Sequence, residues 1–167
     1  MRPFGAKDGA RLESVTRSAG TFRMPPEALV LVSCVSRKNA GPAPARELYC
    51  SEWFCRARSF VESHGAEWLI LSAKYGVVAP GAVIERYEQT LNDAAISERR
   101  AWVRMVVGQM ETHIESRRYI VILAGHRYRQ FLVPELQARG LKIEVTMANL
   151  AIGKQLAWLA ANRRTPD

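Results

Sequence analysis

Four short aliphatic runs, each followed by a loop and then a stretch of helical spacing, constrain the fold of this chain more than any other feature. They are Ala28-Leu29-Val30-Leu31-Val32, Trp68-Leu69-Ile70-Leu71, Tyr119-Ile120-Val121-Ile122-Leu123, and Leu141 to Val145. A strand with one wet face alternates apolar and polar residues, whereas runs that are apolar throughout belong to strands covered on both faces. Residues 46–63 space Leu48, Trp53, Phe54, Ala57 and Phe60-Val61 as a helix ending near His64-Gly65. Residues 97–115, with Ser97 read as N-cap, carry Trp102, Val103, Val106, Val107, Met110 and Ile114 on a second helix. Arg127 to Arg139 reads as a third, and residues 152–164 as the last. Strands alternating with helices predict an α/β fold with a parallel sheet covered on both faces. Right-handed crossovers then leave a three-layer α/β/α sandwich around a mainly parallel sheet of about four strands.

The N-terminal 24 residues stand apart. Five basic residues (Arg2, Lys7, Arg11, Arg17, Arg23) face two acidic ones (Asp8, Glu13), and Gly5, Gly9 and Gly20 interrupt the stretch. We expect a flexible basic leader over 1–24, closed by Pro25-Pro26, and a single α/β domain over 25–167. The whole chain carries a formal net charge of +8, which favours a phosphate-bearing partner. No run approaches the eighteen or so apolar residues of a membrane span, and the N-terminus lacks the apolar stretch of a secretory signal. Cys34, Cys50 and Cys55 are an odd number without CxxC spacing, so neither a disulfide framework nor a zinc site is expected. The expectation is a soluble, cytoplasmic domain without metal or cofactor.

In open parallel sheets, ligands bind outside the carboxyl ends of the strands. Those ends carry Ser33-Cys34 with Arg37-Lys38, Ser72-Ala73-Lys74-Tyr75-Gly76, Ala124-Gly125-His126-Arg127-Tyr128, and Thr146 to Asn149, with Lys154 opening the last helix. Cations from separate loops are thereby gathered at one rim, and an anionic ligand is expected there. Neither GxGxxG nor GxxxxGK[ST] occurs, which excludes the common dinucleotide and triphosphate cradles. Of the three histidines, His126 alone is placed for chemistry; His64 and His113 read as structural. Cys34 reads as a nucleophile beside Lys38 or, with more weight, as a small residue filling a tight turn. Cys50 and Cys55 read as packing residues on the first helix. Residues 84–91 follow the second strand loop, and Glu85 and Glu88 are candidates to steady a sugar cation or orient water.

These residues resemble a known family. Ser33-Cys34, Arg37-Lys38, Pro44-Ala45, Leu48-Tyr49-Cys50-Ser51 and Phe54 form the first block. Leu71-Ser72-Ala73-Lys74-Tyr75-Gly76-Val77-Val78, Pro80, Ile84-Glu85, Tyr87 and Leu91 form the second, and Leu123-Ala124-Gly125 with Arg127-Tyr128 the third. Together they are similar to a bacterial and phage domain family of formerly unknown function, over about residues 28–160. That family is distantly similar to the YaaA peroxide-stress proteins and to a domain of archaeosine synthase. The resemblance implies a uracil-DNA-glycosylase-like fold, DNA binding in stress and removal of modified bases in defence. The chain departs from the family in having His126 where Lys is frequent, Arg86 where Pro is frequent, and Glu88 where Asp is frequent.

The leading expectation is a DNA glycosylase that excises a modified or damaged base, with RNA or a nucleotide as alternative substrates. Glu88 or Glu85 would support the sugar, and Lys38 or His126 the departing base. Tyr75, Tyr87 and Tyr128 would stack, while Ser33, Cys34 and Asn149 would line the pocket. Lys74, Arg127 and Lys154, with Lys38, would hold phosphates. The alternatives are a non-catalytic DNA-binding stress protein and an enzyme acting on a nucleotide or nucleoside.

Overall fold

The computed structural model describes residues 21–166. In chain order the strands are β1 (Leu29–Ser33), β2 (Ala43–Pro44), β3 (Glu67–Ser72), β4 (Gly76–Val78), β5 (Val83–Ile84), β6 (Tyr119–Leu123) and β7 (Lys142–Val145). The helices are α1 (Ala45–Leu48), α2 (Glu52–Ser63), α3 (Ile96–Ile114), α4 (His126–Arg129), α5 (Leu132–Ala138) and α6 (Ile152–Ala161). Five strands form the main sheet in the order β4-β3-β1-β6-β7, and β2 pairs with β5 in a small second sheet. The most aliphatic run takes the centre: every residue of β1 is buried, with Val30 aligned to Trp68 of β3 and to Val121 of β6. β3, β6 and β7 run parallel to it. Helices α2 and α6 pack together, as do α3 and α5, and right-handed crossovers put the two groups on opposite faces of the sheet. The expected α/β architecture is present.

Its details differ where sequence signals are short. A fifth strand, β4, lies antiparallel to β3 inside the stretch read as a loop, with Ile70 opposite Val78. Three residues are too few to show a period. The helix expected over 46–63 is two: the chain leaves α1 at Tyr49, and Ser51 restarts it by accepting from the Phe54 N–H at 3.1 Å. Cys50 therefore lies between helices, and Cys55 is exposed, so the packing role expected of that pair is not what the structure shows. The third helix is likewise divided at Gln130 and Phe131.

Ser97 is not a cap. The N-cap of α3 is Ala95, whose N–H is taken by the Glu98 carboxylate at 2.8 Å; alanine has no side-chain acceptor to return the bond. The last helix ends at Ala161, not 164. Most of the expected leader, 1–20, lies outside the described residues. Its final part joins the domain: the Phe22 ring meets Phe60, His64 and Trp158, and its N–H donates to Asn162 Oδ1 at 2.9 Å. One large aromatic ring supplies enough apolar surface to hold that end of the segment down. No helix among the described residues is long and apolar enough to cross a membrane.

Candidate functional site

The strand order decides where a ligand fits. The chain passes from β1 to β3 on one side, then returns across the sheet to β6 on the other side of β1. In open parallel sheets a ligand site lies where the direction reverses, which in this chain is outside the carboxyl ends of β1 and β6. Cys34 follows β1 directly, and Tyr128 arrives from α4 just after β6. Both are buried, and Cys34 Sγ lies 3.3 Å from the Tyr128 hydroxyl. Trp102 of α3 packs edge-on against the Tyr128 ring and donates its indole N–H to the Ser72 carbonyl at 2.8 Å.

A line of hydroxyls runs away from this contact beneath the rim. Ser72 Oγ donates to the Tyr87 hydroxyl at 2.7 Å and accepts from the Tyr75 N–H at 3.1 Å. The Tyr87 hydroxyl meets that of Tyr49 at 2.6 Å. Within residues 84–91 it is Tyr87 that enters, whereas Glu85 and Glu88, the candidates from that stretch, are exposed. Burial pushes the Tyr49 phenol up to about 12. Burial, and next the neighbouring Cys34, raise Tyr87 and Tyr128 as well. All three remain protonated near neutrality and serve as hydrogen-bonding groups, not as bases.

Lys38 closes the site from above. It is 8% exposed, and its ammonium sits 4.5 Å over the Tyr87 ring and 5.8 Å over that of Tyr49. Its hydrogen bond to the Ser36 carbonyl is 3.3 Å long. The bridge between Lys38 and Tyr49 fixes the loop that carries it. Among the described residues, no carboxylate forms an ion pair with Lys38. An ammonium has three donors, and aromatic faces answer only part of that demand.

The expected site residues therefore divide. Ser33, Cys34, Lys38, Tyr87 and Tyr128 are buried at the switch point, with Tyr75 half-buried beside Tyr87 at a ring distance of 5.6 Å. Lys74 lies over the Tyr75 ring at 5.2 Å with its residue exposed. His126, Arg127, Asn149 and Lys154 are exposed. Glu85 and Glu88 are exposed too, and Glu88 is tied to Arg86 at 3.2 Å. Sequence reasoning assigns no site role to Tyr49, Ser72, Trp102 or Arg99. Arg99 has a visible signal: it begins the stripe Arg99, Trp102, Val103, Val106, Val107 on the inner face of α3.

A groove lies elsewhere. About 1240 Å³ in volume, it lies at the amino end of the sheet between residues 21–28, His64 to Glu67, and 161–165. It is broad and shallow, and the buried cation with no acid beside it lies at the other end, which is the better indicator of a ligand. Among the described residues, no group of three or more His, Cys, Asp or Glu is arranged to hold a metal ion.

Residues 29–161 match the model of a family of unknown function, DUF6884. The matched stretch runs from the first residue of β1 to the last of α6, and so contains the whole switch point. No curated protein and no solved structure matches the chain.

Proposed function

The chain belongs to the DUF6884 family, and we propose from its switch point that it binds nucleic acid and cleaves the N-glycosidic bond of a modified or damaged base. The observation that carries this reading is Lys38: a buried cation with no acid beside it, above phenols that remain neutral. Burying a charge without a partner is costly, and an electron-rich or anionic ligand offsets that cost. A flipped base supplies such a group while its edge meets the hydroxyls of Tyr87, Tyr49 and Ser72. As the bond from C1′ to the base nitrogen breaks, its electron pair leaves with the base, and an N–H of Lys38 steadies the developing charge. Water adds to C1′ and loses its proton to Glu85 or Glu88. Glu85 stands two residues before Tyr87, about 7 Å away along an extended backbone.

A second reading has its own support. Both acids are exposed, and Glu88 is already paired with Arg86, which suits a rim that only cradles phosphates.

One gel assay tests the two. The protein is incubated with modified and unmodified duplexes, the products are treated with alkali, and strand breaks are counted beside a retention assay. Glycosylase action gives breaks with the wild type that disappear in Glu85→Gln or Glu88→Gln, while those variants still retain DNA. Lys38→Met is expected to slow the breaks by tenfold or more, about the loss of one charge-assisted hydrogen bond. Retention without breaks over a broad panel of bases establishes the cradle instead.

A further inference from the structure

Helix α3 presents cations to solvent beside the switch point. Its inner stripe begins at Arg99, and Arg100 and Arg104 stand at the edge of that stripe, exposed and one turn apart. Residues four apart on a helix hold their Cβ atoms about 6 Å from each other. On the facing element, Arg127 of α4 is also exposed. It precedes Phe131 by four residues on a path that is still helical, since the Gln130 N–H bonds to the His126 carbonyl at 2.9 Å.

The half-buried Phe131 ring ties these cations into one patch. The Arg100 guanidinium lies 4.1 Å from its centre and that of Arg99 5.2 Å. The two charges thus stand no farther apart than one Debye length, about 10 Å in 0.1 M salt. Arg99 is buried and donates to Gln130 Oε1 at 2.6 Å, so it anchors the junction of α4 and α5, while Arg100 offers the accessible charge. Among the described residues, Arg100, Arg104 and Arg127 form no ion pair. The acids of α3 are engaged elsewhere, Glu98 by the Ala95 N–H and Glu111 by Arg139. Glu135, four residues past Phe131 on α5, is one carboxylate against four guanidiniums.

The patch adjoins the switch point. Trp102, two residues after Arg100, donates to the Ser72 carbonyl at 2.8 Å and packs on the Tyr128 ring at 5.6 Å, and Tyr128 follows Arg127. Exposed guanidiniums without acids suit phosphates, which they bind in a fork. We propose that Arg100, Arg104 and Arg127 form a track for the phosphate backbone of the strand whose base is held at the switch point. The proposal rests on the nucleic-acid reading above for its ligand and extends that reading from the strand ends onto α3. Continuity with Tyr128 favours a nucleic acid over an acidic peptide, because the phosphates beside a flipped base must lie close to its pocket.

An unmodified labelled duplex tests the track, since phosphate contacts carry no sequence information. Phenylglyoxal modifies accessible guanidiniums in the wild-type chain, and mass spectrometry reads which ones. The duplex should protect Arg100, Arg104 and Arg127 and leave Arg163 and Arg164 as reactive as in the free chain. Arg100→Gln combined with Arg104→Gln should weaken retention tenfold or more and lower the slope of log K against log salt by about 1.8, at 0.9 for each phosphate. Arg163→Gln combined with Arg164→Gln removes the same charge and should leave the slope unchanged. If a duplex binds the wild type without protecting Arg100 and the first double variant keeps its slope, the track is refuted and the nucleic-acid reading stands. If neither DNA nor RNA is retained at all, both fall. Protection of Arg100 and Arg104 by polyglutamate and not by a duplex assigns the patch to an acidic protein and overturns the proposal. The protection measurement needs no variant to fold.

Discussion

At the residue scale, the site is an exercise in keeping phenols protonated. Tyr87 receives the Ser72 hydroxyl and meets the Tyr49 hydroxyl in the interior. Tyr87→Phe strands both neighbours, so it is expected to cost about 1–3 kcal/mol, measured by urea unfolding at pH 7. Alkali makes a second prediction. Unfolded tyrosines titrate near 10, whereas folded Tyr49 is held up to about 12 and Tyr87 and Tyr128 are raised too. Above pH 10 the unfolded chain therefore binds fewer protons than the folded one, and stability falls as pH rises. The contribution is complete below pH 10 and falls by about 1.4 kcal/mol per pH unit for each phenol involved. Unfolding curves from pH 9 to 12 check this, and Tyr87→Phe should flatten the decline; an unchanged slope in that variant would falsify the assignment. From residues 84–91 the sequence alone offers Glu85 and Glu88 for catalysis, and both are exposed. Tyr87 is expected there to stack on a base; that its hydroxyl is instead tied to Ser72 and Tyr49 is not legible, because an irregular segment lacks the period that assigns faces in a strand or helix. Lys38 is a visible candidate, yet its burial is not legible, since lysine is almost always exposed.

At the scale of elements, legibility follows length. The central strands and α3 are readable because their apolar residues extend over several positions with a clear period. The breaks at Tyr49–Ser51 and Gln130–Phe131, and the three residues of β4, are local choices that tertiary contacts decide. Gln109 shows how. Its Oε1 accepts from the Val77 N–H at 2.7 Å and its Nε2 donates to the Tyr75 carbonyl at 3.0 Å, so α3 clamps the turn into β4. Gly76 makes that clamp possible: its φ is 76°, and a Cβ there would fall on the Gln109 amide. Gly108, in the same helix as Gln109, has open space where a Cβ would stand. The two glycines should respond with opposite signs. Gly76→Ala is expected to lose about 2 kcal/mol, from the left-handed backbone and the displaced amide together. Gly108→Ala should gain about 0.5–1 kcal/mol from helix propensity. Urea midpoints of the two variants decide the matter. Equal shifts would mean that β4 is not held by this clamp.

At the scale of the whole molecule, a net charge of +8 says that an anion is attracted, and its placement says where. Two basic regions compete. At the carboxyl rim, Lys74, Arg127 and Lys154 are exposed around the switch point. At the amino end, Arg23, Arg163 and Arg164 line the groove of about 1240 Å³. Replacing either trio by Gln removes three charges, so any effect of net charge alone is the same for both. What differs is counterion release, which counts only cations that touch phosphates. The carboxyl-rim triple variant should lower the slope of log K against log salt by about 0.9 for each duplex phosphate no longer neutralised. The amino-end variant should weaken binding slightly at low salt, through the long-range field, and leave the slope unchanged. Retention of a labelled duplex at several salt concentrations measures both slopes. A fall confined to the amino-end variant would move the nucleic-acid interface to the groove at the opposite end of the sheet and leave Lys38 without its proposed ligand.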